Sequence, residues 1–217
     1  MTQSAASIVG VTTKYSTLCG PLNRLLDGGL KQGCILELSG APGCGKEALA
    51  VNISRSYVDS SKGVLFIDMQ NMTTPATLDR LLRKSSHTVS AYQKLVRHLQ
   101  LHTLLDLMVF LQNLPSYLQN HPDIALIVLN SLSFPFQSPD VTYAVRNAVL
   151  DKVKQILAKT VASTRVTVVI TSQLATKMYK ADGSAANFDT GSRAIMVPLL
   201  GPSTFTTLPN DPSLNFV

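Results

Sequence analysis

ILELSGAPGCGKEALA, residues 35–50, sets an apolar run against a glycine-rich loop and then a helix-forming stretch. Gly40 to Lys46 fits the phosphate-cradling pattern G-x-x-x-x-G-K. Gly40, Gly43 and Gly45 let backbone N–H groups curl round an anion with no Cβ in the way, and the helix start behind them adds positive potential. Lys46 is placed to reach β- and γ-phosphates, and the strand before and helix after the loop are the context the pattern requires. The expected contacts to ATP are therefore Gly40, Ala41, Pro42, Gly43, Cys44, Gly45, Lys46 and Glu47. The last of these breaks the pattern: a serine or threonine hydroxyl that would hold magnesium is replaced by Glu47.

Working outward, VLFIDM (64–69), DIALIVLNS (123–131) and RVTVVITS (165–172) read as further buried strands, with a short one around Leu99–Leu101. Helices are expected from Lys46 to about Val58, over TPATLDRLLRKSS (74–86) with Leu78, Leu81 and Leu82 on one face, from about Ser90 to His98, and over Leu104–Leu118 with a kink or restart at Pro115. The clearest amphipathic helix is 142–163, with Val145, Val149, Val153, Ile156 and Leu157 in a stripe. Continuous apolar strands alternating with helices indicate an α/β fold, a mostly parallel sheet with helices on both faces. Ligands of such sheets bind at the carboxyl ends of the strands, where the glycine loop lies.

Two more positions bear on chemistry. A P-loop hydrolase holds magnesium with help from an acidic residue ending a later strand, and polarises its water with a carboxylate. Here the strand LIVLN ends in Asn130, a weaker ligand for a hard cation. At the end of the second strand stands Gln70, and an amide takes no proton from water at neutral pH. With Glu47, three parts of one mechanism depart together. Asp68 is a displaced acid, and strand alternation turns it the other way.

Composition narrows the rest. The chain has 217 residues, 45% of them hydrophobic and 15% charged, which suits one globular domain with a sizeable core. A net charge of +6 and a pI near 9.3 suit a polyanionic partner. Cys19, Cys34 and Cys44 are scattered without a C-x-x-C, and the four histidines lack ligand spacing, so no metal site is expected. MTQSAASIVG (1–10) has no signal-peptide pattern, and no apolar run is long enough to span a bilayer, so no membrane is expected as a partner. Arg80, Arg83, Lys84, Lys94 and Arg97, like Lys152, Lys154 and Lys159, read as solvated helix faces.

With these residues in view, the chain resembles the RecA-type recombinase core, and more narrowly the eukaryotic Rad fifty-one paralogues, nearest the C-type. STLCGPLNRLLDGGL (16–30) is similar to the segment that introduces the core, and VLFIDMQ (64–70) to the strand whose family version ends in an acid. LPSYLQNHPDIALIVLNSLSFPFQ (114–137), VVITSQLATKM (168–178) and AIMVPLLG (194–201) carry the more specific likeness. The resemblance implies a RecA-like P-loop core over 16–201, after a loose lead-in at 1–15 and before an irregular tail at 202–217. It implies that Gln173 senses the γ-phosphate and that 175–194 is a mobile DNA-facing loop. In that loop Lys177, Tyr179, Lys180 and Arg193 would contact single-stranded DNA, with Tyr179 and Phe188 stacking on bases.

The resulting expectation is a degenerate ATPase: a recombinase-paralogue subunit of homologous-recombination repair in the nucleus. It would bind ATP weakly or without efficient hydrolysis, with magnesium weak or absent. Its partners would be other paralogues, the recombinase itself and single-stranded DNA. The family's helical N-terminal domain and closing strands are not recognised, which points to a short paralogue or a truncated gene model, with a sheet edge open to a partner. The alternatives are an active DNA-dependent ATPase of the same family, its metal held by Glu47 and Asp68, and a small-molecule P-loop kinase.

Overall fold

The computed structural model describes residues 13–83, 93–138 and 141–201; the first twelve residues, the expected helix start at Ser90 and the tail 202–217 lie outside these. The chain opens with β1 (Lys14–Tyr15), α1 (Gly20–Leu25) and β2 (Leu30–Lys31). The core follows: β3 (Ile35–Gly40), α2 (Lys46–Asp59), β4 (Gly63–Asp68), α3 (Pro75–Leu82), β5 (Val96–Gln100), α4 (Leu104–Asn120), β6 (Ile124–Asn130), α5 (Tyr143–Thr164) and β7 (Thr167–Tyr179). A short helical turn, Phe134–Gln137, sits between β6 and α5, and β8 (Ala185–Ala186) and β9 (Arg193–Pro198) close the chain.

Strands run in the order β3-β7-β6-β4-β5, every neighbouring pair parallel. This is the RecA-like α/β core. Alternation along the strands sorts their side chains between two layers. Val64, Phe66, Leu126, Val128 and Val169 pack under α2 and α3 with Ala50, Ile53, Tyr57, Leu78 and Leu82. Leu65, Ile67, Ile127, Leu129, Val168 and Ile170 pack on the other face, against Leu107, Leu111, Leu114 and Leu118 of α4 and Leu150, Val153 and Leu157 of α5. Both faces of β4 and β6 are buried from end to end, which is why those strands read as unbroken apolar runs. No helix among the described residues is long and apolar enough to cross a membrane.

Several local expectations change. Val96–His98 are strand, not helix: they pair with Val64–Phe66, and that backbone ladder outweighs a weak helical period. α4 runs unbroken across Pro115, because its buried stripe of leucines continues on both sides and offsets the lost backbone bond. Val145 is 49% exposed, so the buried line of α5 starts one turn later, at Val149 and Leu150. β7 does not stop at Ser172; it continues to Tyr179 by pairing antiparallel with β9. Lys14 and Tyr15 of the lead-in form a strand, paired with Lys31 and Leu30.

The entry ribbon is anchored tightly. Tyr15 stacks on Tyr57 of α2 with ring centroids 3.9 Å apart. Gly29, at φ +140°, passes so near the ribbon that an added Cβ would lie 2.5 Å from the Tyr15 carbonyl oxygen. Gly28 has φ +103° and open space around it. Gly29→Ala is therefore expected to lower the unfolding free energy by about 2–3 kcal/mol and Gly28→Ala by about 1 kcal/mol, read from urea denaturation midpoints.

Candidate nucleotide site

The phosphate loop forms where β3 gives way to α2. Gly43 and Gly45 take φ +78° and +93°, and Gly45 is the helix N-cap. Those angles exclude ordinary side chains at low strain and leave the first-turn amides of α2 without acceptors in the helix. Gly40 is needed for a different reason: a Cβ there would stand 2.3 Å from the Cys44 sulfur, which folds back over the loop. The loop backbone thus curls over the N-terminus of α2 at the carboxyl end of β3.

Its charges are arranged unusually. Lys46 is only 5% exposed, and its Nζ lies 2.9 Å from Glu47 Oε1 while donating to the Ala41 carbonyl oxygen at 3.2 Å. Glu47, which sequence reasoning placed as a contact to phosphate, is thus turned onto the lysine that phosphate would use.

The parallel register brings the other positions to the same end of the sheet. Asp68 lies opposite Asn130, and Gly40 opposite Gln173. Asn130 is fully buried and tied on both sides: its Oδ1 accepts from Thr171 Oγ1 at 2.7 Å and its Nδ2 donates to Thr73 Oγ1 at 3.2 Å. Asp68 does not point away, as alternation suggested. It follows Val64 and Phe66 onto the α2 side, in register with Asn130. It is fully buried, and its two oxygens accept the N–H groups of Gln70 (3.1 Å) and Thr73 (2.7 Å). The Gln70 side-chain oxygen is buried with no hydrogen-bond partner.

Glu47 is committed to Lys46, both polar atoms of Asn130 are used, and both oxygens of Asp68 hold a backbone turn. Magnesium that accompanies a nucleotide takes most of its oxygens from phosphate and water and only one or two from the protein. Among the described residues, no group of three His, Cys, Asp or Glu is close enough to share a metal.

Gln173 stands where β7 leaves the sheet. Its N–H donates to Ser133 Oγ at 3.1 Å, and its Oε1 accepts from Gln137 Nε2 at 3.1 Å. A cleft of about 520 Å³ opens on the far side of Gln137, lined by His102, Leu105, Phe134 and Val141 rather than by the phosphate loop. Beyond Gln173 the expected loop begins as ribbon, residues 175–179 and 193–194 being strand. Tyr179 pairs with Arg193 and Lys177 with Ile195, so Lys177, Tyr179 and Arg193 share one face. Lys180 sits in the adjoining turn, its N–H donating to Ser184 O at 2.9 Å, and Phe188 is 76% exposed. Of the basic residues expected on helix faces, Arg83 pairs with Asp79 at the end of α3, and Arg97 lies on β5 instead, paired with Asp123.

Sequence reasoning did not find Thr73, Thr171 or Gln137 as partners of the site residues. It also missed the cluster in which Glu37 Oε1 accepts from Ser39 (3.2 Å) and Ser172 (2.8 Å) beside the loop. All depend on strand order and register, which a single chain's pattern does not carry.

With this geometry in view, the comparisons are direct. The Rad51 family model matches residues 6–199. The chain belongs to the Rad51 family. It is 23% identical to the DNA repair protein RAD51 homolog 3 of Cricetulus griseus over 86% of this chain and 56% of that protein. The Dictyostelium discoideum protein of the same name is 24% identical, over 86% of this chain and 53% of that protein. The DNA repair and recombination protein RadB of Methanosphaera stadtmanae is 22% identical, over 70% and 65%. The chain spans little more than half the length of the RAD51 homolog 3 proteins it matches.

The three thiols give a direct probe of the loop. Burial pushes the Cys34 thiol up to about 11, whereas Cys44 is exposed in the cradle. Because the thiolate is the reacting form, iodoacetamide at pH 8 is expected to label Cys44 well before Cys34. Bound nucleotide is expected to slow labelling of Cys44 alone, read by peptide mass mapping.

Proposed function

We propose that this Rad51-family chain serves recombinational DNA repair as a subunit that retains a nucleotide cradle but not the magnesium chemistry of an ATPase. One observation carries the reading: the cradle's backbone is intact while Glu47, Asn130 and Asp68 are each committed to protein contacts. The names of its relatives, DNA repair proteins in each case, support the process. On this reading the chain works in the nucleus by pairing with other paralogues and with the recombinase. It contributes surface and binds ATP weakly, without efficient turnover.

Phosphate binding falls to the first-turn amides of α2 and to Lys46. Magnesium, if it accompanied the nucleotide, would find Glu47, Asn130 and Asp68 already engaged with protein partners. DNA contact falls to the ribbon, where Lys177, Lys180 and Arg193 offer backbone charge and Tyr179 a stacking surface. Gln173, hydrogen-bonded to Gln137 at the ribbon's base, is the candidate link between the two.

The active-ATPase alternative draws on Asp68, which shares a face and a row with Asn130. Its oxygens would first have to leave the 68–73 turn. The family match counts against the kinase alternative.

Magnesium-dependent ATP hydrolysis is expected to stay at background with or without single-stranded DNA, and Lys46→Ala to change nothing. Robust turnover abolished by Lys46→Ala would overturn the reading. For DNA, Lys177→Ala and Arg193→Ala are each expected to weaken binding of an oligothymidine several-fold and to lower the slope of log K against log salt by about 0.7, measured by fluorescence anisotropy.

A further inference from the structure

Lys46 and Glu47 hold each other inside the cradle. The ammonium is nearly buried, with its side chain 3% exposed, and the carboxylate beside it is 26% exposed at 2.9 Å. A lysine in this loop serves to attract the outermost phosphates, and a carboxylate against it supplies the same negative charge and acceptor oxygens that a terminal phosphate would. The remaining attraction comes from backbone amides and the helix N-terminus, which is directed at the phosphates nearer the loop and does not depend on Lys46. Each further phosphate must therefore compete with Glu47 for Lys46 and meet its charge at close range.

We propose that Glu47 is the specificity-determining residue of the cradle, acting as a built-in substitute for the terminal phosphate, so that in the absence of divalent cation the site takes nucleoside diphosphates at least as well as triphosphates. The inference rests on the reading of this loop as a nucleotide cradle. A single unscreened carboxylate beside the γ-phosphate is worth roughly tenfold or more in affinity at the dielectric of a half-buried site. Glu47 is accessible enough to tolerate a neutral replacement, and Lys46 then regains its charge for the ligand.

The test is isothermal titration of ADP and ATP, in EDTA, into the full chain and its Glu47→Gln, Glu47→Thr, Lys46→Ala and Lys46→Ala/Glu47→Gln variants, each first verified as folded by circular dichroism. The wild type is expected to bind ADP as tightly as ATP or tighter. Glu47→Gln and Glu47→Thr are expected to gain about tenfold for ATP and clearly less for ADP. Lys46→Ala, which leaves Glu47 unpaired beside the phosphates, is expected to cost ATP binding about tenfold or more, and adding Glu47→Gln to that variant is expected to restore most of the loss. A wild type that prefers ATP, an equal gain for both nucleotides, or a Lys46→Ala variant that Glu47→Gln does not rescue for ATP would overturn the proposal and leave the cradle standing. Folded proteins that bind neither nucleotide with or without Glu47 would overturn the cradle itself, and the proposal with it.

Discussion

Parallel strands that end side by side place every residue of the site. Gly40 lies beside Gln173 and Asp68 beside Asn130, so a loop leaving β3, a turn leaving β4 and a ribbon leaving β7 start from one rim. The register is held by apolar packing on both faces of the sheet, because a slip of one residue would turn Phe66, Val128 and Val169 out of one layer and Ile67, Leu129 and Ile170 out of the other.

Within that rim, electrostatics explains why the departures from an ATPase occur together. Lys46 is buried, and a buried cation needs an anionic or strongly polar partner. Where a nucleotide is the obligatory partner, the loop can leave its lysine waiting. Here Glu47 provides the charge, and the loop has a satisfied state of its own. A neutral Asn130 fits the same logic. Its neighbour in register, Asp68, is already a buried carboxylate, and a second one alongside would add like-charge repulsion. An amide can instead accept from Thr171 and donate to Thr73, cross-linking β6, β7 and the turn after β4, which an ionised acid could not do on both sides.

The ribbon extends this rim outward. β7 outlasts the sheet because β9 returns to pair with it, and the base is fastened where Leu199 N–H donates to Gln173 O at 2.9 Å and Leu200 enters the core. The pairing also converts a scatter of basic and aromatic residues into a face. Gln173, Lys177 and Tyr179 lie on one continuous strand.

Much of this was legible in the chain alone. Gly40–Lys46 read as a glycine loop between a strand and a helix because backbone geometry dictates glycine there, and the runs at 64–69 and 124–129 read as buried parallel strands because both their faces are covered. The residue types at Glu47, Gln70 and Asn130 were visible there too. What the sequence lacked was contact across strands. It misjudged Asp68, whose orientation is set by register with β6, and Val96–His98, which are strand only because β4 is beside them. It did not foresee the contact between Glu47 and Lys46. Local pattern determines which backbone forms and which donors are absent; only the packed sheet decides which side chain satisfies which, because those partners lie on strands far apart in the chain.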